Sequence, residues 1–406
     1  MPKNKRPVPR KSANSPEVKD EQNTTELCAL ALDLSDGEFN QDIVAEATRA
    51  DLAQKAIEFQ RLLRRLLTQG KDEVLYGAVE LARDESVDGY RYLRNAVEEG
   101  AANLVLRRDG AGDLEIDAFA IPVFVHSQGG LDPAADFQDS EAYDALLASL
   151  TAAGLESPKA KVVLVSHAYD LGEIERISYG QLHAMVREAA NSLTEKKLSA
   201  APALERSLAH GWTPTDFAPA DSAVELRFLL GFALKRADDA FYKVPKAEKA
   251  ADAYFAKRAE AYQQWTAEHG PTVARCLGRG RGADGALTLN FLYQDLFFGA
   301  REQAQAEYAT LQILATLNAA MEGHPAQQLT AIIAPADIDD DMVLRVQLLA
   351  GTAVLAQADK PLDLAADLES EVDDLRDALA SIGIDQVSVA LRFDADGEPV
   401  DVRPLH

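Results

Sequence analysis

The residue pattern predicts an α+β chain made of two tandem ferredoxin-like βαββαβ sandwiches with a helical insertion between them. Three observations carry this expectation. Between Gln328 and Phe393 the chain reads strand, strand, helix, strand. Met342, Leu344, Val346 and Leu348 alternate with Arg345 and Gln347, and a stripe of Leu364, Leu368, Val372, Leu375, Leu379 and Ile382 follows at helical spacing. The same order recurs from Leu104 to Ser166: Leu104 and Leu329 are 225 positions apart, as are Val162 and Val387. A constant offset across several elements argues for duplication better than any one identity. A strand and a helical stretch precede each cassette, completing the split βαβ order of a four-stranded sheet with helices on one face.

Each element has a local justification. Residues 1–22 are rich in Lys, Arg, Pro, Ser and Asn with little to bury, and are expected to be a disordered basic arm. The first unit spans 23–171. Leu27–Leu34 alternates loosely and ends at Ser35-Asp36-Gly37, which suggests a strand and its turn. Three amphipathic helices follow: one through Leu52, Leu62 and Leu66 that Gly70 ends, one through Val74, Ala78 and Leu81, and one through Tyr90, Leu93 and Val97. Asp109-Gly110 signals a hairpin after the strand Leu104–Leu106. The run through Leu114, Ile116 and Ala118 is interrupted at Pro122, as Gly351 interrupts its counterpart, so both should mark a bend or bulge. Ser140 caps a helix that Gly154 closes, and Val162–Val165 ends the unit.

Residues 172–285 form the insertion, with a helix near Tyr179–Leu193, a Pro-rich loop, a strand from Val224 to Leu234 and a long helix from Lys246 to His269. The second unit, 286–406, opens on the strand through Leu287, Leu289, Phe291 and Tyr293. A helix follows from about Ala300 to Met321. Asp363 and Gly383 flank the cassette helix as caps, and Asp394-x-Asp396-Gly397 turns a terminal hairpin.

Composition narrows the function classes. The chain of 406 residues carries a net charge of −25, and its first sixteen residues hold five cations, leaving −30 on the rest. Such a body repels nucleic acid and anionic membranes, because binding there relies on Lys and Arg displacing counterions. With only Cys28 and Cys276, neither a disulfide framework nor a cysteine metal site can be built. No apolar run approaches a membrane span and no secretory pattern follows the basic start, so a cytoplasmic location is expected.

Glu26-Leu27-Cys28-Ala29-Leu30-Ala31-Leu32, with Ser35 beyond it, then the helices and the long strand through Pro122, resembles a bacterial, mainly beta-proteobacterial family. That family is catalogued as domain of unknown function family 2863. The resemblance covers nearly the whole chain. It implies no assigned activity and supplies no site residues.

Candidate chemistry is sparse. Gly280-Arg281-Gly282-Ala283-Asp284-Gly285 matches G-x-G-x-x-G, but a helix precedes it and a strand follows, the reverse of a dinucleotide fold. Asp337-x-Asp339-x-Asp341 opens like a calcium loop, yet Met342 and Leu348 stand where Gly and Glu are required. Tyr254, Phe255, Tyr262 and Trp265 lie along the insertion helix at a spacing that favours core over ligand contact. His126 and His167 end two strands expected to be parallel with one strand between them, roughly 10 Å apart at ~4.8 Å per strand. Asp170, Glu173 and His183 follow on the same edge, where imidazole and carboxylate could serve acid–base or metal-assisted hydrolysis.

With no catalytic signature, the leading expectation is a non-enzymatic small-molecule-binding or regulatory protein, its partner a small ligand or another protein, with a homo-oligomer compatible. No cofactor and no metal are expected. The alternative is a hydrolase-like enzyme working from the His126, His167 and Asp170 edge.

Overall fold

A computed structural model describes residues 16–39, 46–107, 112–127, 136–169, 177–194, 223–277, 287–338, 341–364 and 366–405. It is an α+β protein whose described residues form two large sheets and one two-stranded ribbon. The glycine motif at 280–285, Asp170, Glu173 and the Pro-rich loop lie outside the described residues.

Leu27–Leu34 is not a strand but part of α1 (Pro16–Phe39), and residues 16–22 of the expected disordered arm open that helix. Leu27, Cys28, Ala31, Leu34 and Ser35 are buried on it, a spacing of three and four, so the helical stripe outweighs the loose alternation. Next come α2 (Glu46–Gln69), α3 (Asp72–Glu85) and α4 (Val87–Ala102). Gly70 closes α2 at φ +61°, a conformation glycine adopts without strain.

Four strands build the first sheet: β1 (Asn103–Leu106), β2 (Leu114–Ser127), β3 (Lys161–Tyr169) and β4 (Ala223–Arg236), in the order β1-β2-β4-β3, all neighbours antiparallel. The strand read as part of an insertion is therefore the centre of the sheet. β4 pairs with β2 along its whole length, from Leu114 opposite Arg236 to Ser127 opposite Ala223. Thr288–Phe291 (β5) and Asp295–Leu296 (β6), expected to begin the second unit, instead extend the free edge of β2.

Pro122 neither breaks nor bends this pattern. Its carbonyl accepts from the Leu292 amide, so its backbone faces the β5–β6 side, at the gap where β5 has ended and β6 has not begun. The amide that proline lacks is not needed there.

Helices cover both faces. Against one pack α1–α4, α6 (Tyr179–Thr194) and the start of α8 (Phe297–Ala320), around Ile116, Ala118, Phe228 and Phe232. Against the other pack α5 (Ser140–Ala152) and the long α7 (Glu248–Cys276), around Phe119, Ile121, Val123 and Leu229. α7 runs seven residues past His269, carrying Pro271 within it.

The second sheet holds β7 (Leu329–Ile338), β8 (Asp341–Ala350), β9 (Ala353–Pro361), β10 (Val387–Val389) and β13 (Arg403–Pro404), in the order β13-β10-β7-β8-β9. A terminal hairpin, β11 (Arg392–Phe393) and β12 (Pro399–Val400), turns at Gly397 as its sequence predicts. Gly351, at φ +63°, closes a hairpin between β8 and β9 rather than bending one long strand. α9 (Leu368–Ser381) is capped by Asp367, not Asp363.

The two sheets have different topologies. β10 lies parallel beside β7, the first strand of its cassette, whereas β3 lies beside β4 and never meets β1.

Candidate functional site

The side of the first sheet that faces α5 and α7 carries charge at both ends of its central strand. On β4 this face presents Glu225, Arg227, Leu229, Gly231, Ala233 and Lys235 in alternation. The middle is closed: Phe119 lies over Gly231, and a Cβ on that glycine would stand 2.1 Å from the Phe119 ring. Two polar centres remain, one at each end.

At the Lys235 end lies a cavity of about 240 Å³. Lys235 is 9% exposed and forms an ion pair with Asp117 of the neighbouring β2. Its ammonium also sits over the Tyr242 ring, 3.9 Å from the centroid. Tyr242 donates its hydroxyl proton to Glu156 at 2.7 Å. Burial pushes the Glu156 carboxyl up from its ordinary range, against the pull of the Tyr242 bond and of Arg258 and Lys235. The chain Asp117–Lys235–Tyr242–Glu156 thus joins β2, β4, the turn after β4 and the segment after α5.

The opposite wall comes from α7 and the stretch between β5 and β6. Arg258 donates to Gln294 Oε1 at 3.1 Å and hydrogen-bonds the Tyr293 hydroxyl. Phe255, one turn earlier on α7, is 52% exposed and forms an aromatic rim. Of the aromatic stripe on this helix, Tyr262 and Trp265 are core, as their spacing suggests, while Phe255 faces the cavity.

A second cavity of about 520 Å³ adjoins the first, and Asp117 and Leu296 line both. It runs around the sheet edge, where β1 ends and β6 begins, to the helical layer of α2, α4 and α6. Asn103 donates to both Glu115 and Asp117 at the junction. His183 lines this outer cavity, buried on α6, with Nδ1 3.2 Å from the Gly100 carbonyl. Burial lowers its pKa first of all, so the neutral ring donates from Nδ1.

At the far end, Arg227, Glu225 and Asp136 are fully buried. Arg227 binds Glu225 through Nε and Asp136 through Nη1, and Ser166 donates to Asp136. Arg227 Nη2 and Glu225 Oε2 have no hydrogen-bond partner. Burial raises Glu225 to about 7.

The expected histidine edge assembles differently. One strand does separate β2 from β3, but it is β4. His126 stands opposite Val224 and His167 opposite Phe228, four residues further along. Strand spacing and rise put their backbones about 16 Å apart. His126 accepts from the Asn290 amide at 3.2 Å, and burial lowers its pKa. The structure therefore does not bring His126, His167 and His183 together. Among the described residues no three His, Cys, Asp or Glu side chains are grouped to hold a metal ion.

Sequence reading missed Lys235, Tyr242, Glu156, Arg258 and Gln294. No local signal marked them: Glu225, Arg227 and Lys235 lie on the parity opposite the unbroken apolar series Val224, Leu226, Phe228, Leu230, Phe232 and Leu234, where alternation alone suggests a solvent face.

The chain matches the family described as Protein of unknown function (DUF2863) over residues 38–348, more than three quarters of its length. It belongs to this family. The matched segment contains the whole first sheet and both cavities and ends within β8. No curated protein and no solved structure matches the chain.

Proposed function

We propose that the protein binds a small polar molecule in the cavity between β4, α7 and the β5–β6 segment. The observation that carries this reading is the convergence of Lys235, Tyr242, Glu156 and Arg258 on one concave site with an aromatic rim. Buried groups of both charge signs, fixed by one another and facing a small cavity, are the composition of a ligand site rather than of a packed interior. The polar centre at Arg227 borders neither cavity, so it is assigned to the framework.

A second reading has its own support. A carboxyl pushed up by burial, hydrogen-bonded to a phenol beside an ammonium, has the parts of an acid–base relay. That moves the enzyme reading from the histidine edge to Glu156.

The test is a thermal-shift screen of the full chain against a chemically broad metabolite library, followed by titration calorimetry. Phe255→Ala should leave the unliganded melting temperature unchanged, because the ring is half exposed. It should weaken a bound ligand about fivefold, the worth of one aromatic contact. A library that yields no ligand, or a ligand indifferent to Phe255→Ala and to Tyr242→Phe, removes the binding reading. Turnover of the ligand, abolished in Glu156→Gln with binding retained, assigns catalysis instead.

A further inference from the structure

The cavity beside α7 holds one amide donor without a partner, Gln294 Nε2, and one cation whose bonded partners are neutral, Arg258. Gln294 is 3% exposed, and its orientation is set by Arg258, which donates to Oε1. Its Nε2 is fully buried and has no hydrogen-bond partner. A buried amide N–H without an acceptor costs about 1–3 kcal/mol, so Nε2 is a donor that a bound acceptor would satisfy. Arg258 is the cation. Its bonded partners, Gln294 and Tyr293, are both neutral, and among the described residues it forms no ion pair.

The other charges around the cavity are engaged. Lys235 and Asp117 neutralise one another. Glu156 accepts from Tyr242 and leans towards its neutral form through burial. Asp295 accepts from the Leu296 amide, and its carboxylate stands over Gly299, in the first turn of α8. The anion-attracting start of that helix is therefore already occupied by the chain's own carboxylate. Arg258 remains as the cation left unpaired, with Gln294 Nε2 beside it.

Resting on the binding reading above, we propose that the ligand is a small carboxylic acid with an aromatic or branched apolar body. Its carboxylate accepts from Gln294 Nε2 and faces the Arg258 guanidinium, and its body lies among Phe119, Ala233, Tyr242 and Phe255. A planar fork of guanidinium N–H groups suits a carboxylate. A phosphate dianion fits worse, since the site offers one guanidinium and one amide and lies near Glu156 and Asp295, both close enough to sense Arg258. An amine would meet Arg258 and Lys235 unfavourably.

Titration calorimetry on the full chain tests this with matched probes: benzoate, phenylacetate and isovalerate against benzamide, phenylacetamide and isovaleramide, with phenethylamine and inorganic phosphate alongside. Acids should bind at least about tenfold more tightly than their amides, as loss of a charged hydrogen bond implies. Arg258→Gln should cost a similar factor without lowering the unliganded melting temperature, because Arg258 is partly exposed. Gln294→Met should weaken the acids and, by a smaller factor, the amides, whose carbonyl also accepts from Nε2 but without charge. Binding should also fade as pH falls through the ligand's own carboxyl pKa, a readout that needs no variant. Equal binding of acid and amide, indifference to Arg258→Gln, or ligands that prove to be only amines or phosphate overturn the carboxylate assignment while the cavity remains a site. If neither these probes nor the broad library bind, the binding reading itself fails, and the assignment with it.

Discussion

At the scale of single residues, Glu225 links stability to pH. It is fully buried, bonded through one oxygen to Arg227, with Asp136 on the far side of the same guanidinium. Burial raises its carboxyl from the ordinary 4.5 to about 7, and the Asp136 charge adds to the rise while Arg227 opposes it. The folded state then holds the Glu225 proton more tightly than the unfolded chain does. Stability from this group is full below about pH 4.5 and is lost as pH rises to about 7, at a slope of up to about 1.4 kcal/mol per unit. Glu225→Gln keeps an oxygen for Arg227 and removes the titration. Chemical denaturation at several pH values should show a flatter profile between 5 and 7 for this variant. An unchanged slope would mean that Glu225 is ionised throughout. Both thiols are unreactive for a related reason, since burial pushes Cys28 up and Cys276 to about 12.

At the scale of elements, β4 decides the architecture. It is the only strand of the first sheet with a long partner on each side, β2 and β3. Its middle is sealed by the Phe119 ring lying over Gly231. Gly231→Ala forces the ring or the strand to move, and should destabilise by about 1–3 kcal/mol, the usual cost of overpacking. Phe119→Leu in the same chain should recover part of that loss, because the two changes meet in one contact. Strict additivity in urea denaturation would show that the strain is relieved elsewhere. Phe119 also lines the cavity beside α7, so Gly231→Ala should change that cavity's shape and, on the proposed function, the affinity of what it binds.

At the scale of the molecule, α8 joins the two halves. Its first turns, through Phe297, Phe298 and Ala304, are buried in the core under the first sheet, and Ile313 and Leu317 are buried under the second. Arg94 of α4 fastens the same junction. It pairs with Glu98, with Glu302 of α8 and with Asp363 ahead of α9, where Tyr90 also donates to Asp363 at 3.1 Å. Asp363, read from its position as a helix cap, serves this cluster instead. Arg94→Met removes the shared cation and leaves three carboxylates facing one another. Calorimetry should give one thermal transition for the natural chain and two for this variant, the second sheet melting first. A single transition at lower temperature would mean that α8 alone keeps the halves cooperative.

The sequence by itself determined the local pieces. The stripes of α2, α3 and α4, the helix α6, the strands β2 and β4, and the left-handed turns at Gly70, Gly154, Gly383 and Gly397 all lie where residue spacing puts them. Each depends on contacts within one element or one turn, so a short window of residues contains the cause. Only the tertiary structure decided which strands pair. β4 entered the centre of the first sheet, β5 joined β2 rather than β7, and the two cassettes took different topologies. An alternating strand states which face is apolar but not whose edge it will meet, since pairing is settled by the summed burial of the assembled sheet. The candidate site follows the same rule. Asp117, Glu156, Lys235, Tyr242, Arg258 and Gln294 sit on different segments, none in a motif, and become a site only because β4 runs between β2 and β3 and carries α7 over their shared face. The polar parity of β4 was visible in the sequence; that a second helical layer would bury it, and which charges would meet Lys235, were properties of the fold.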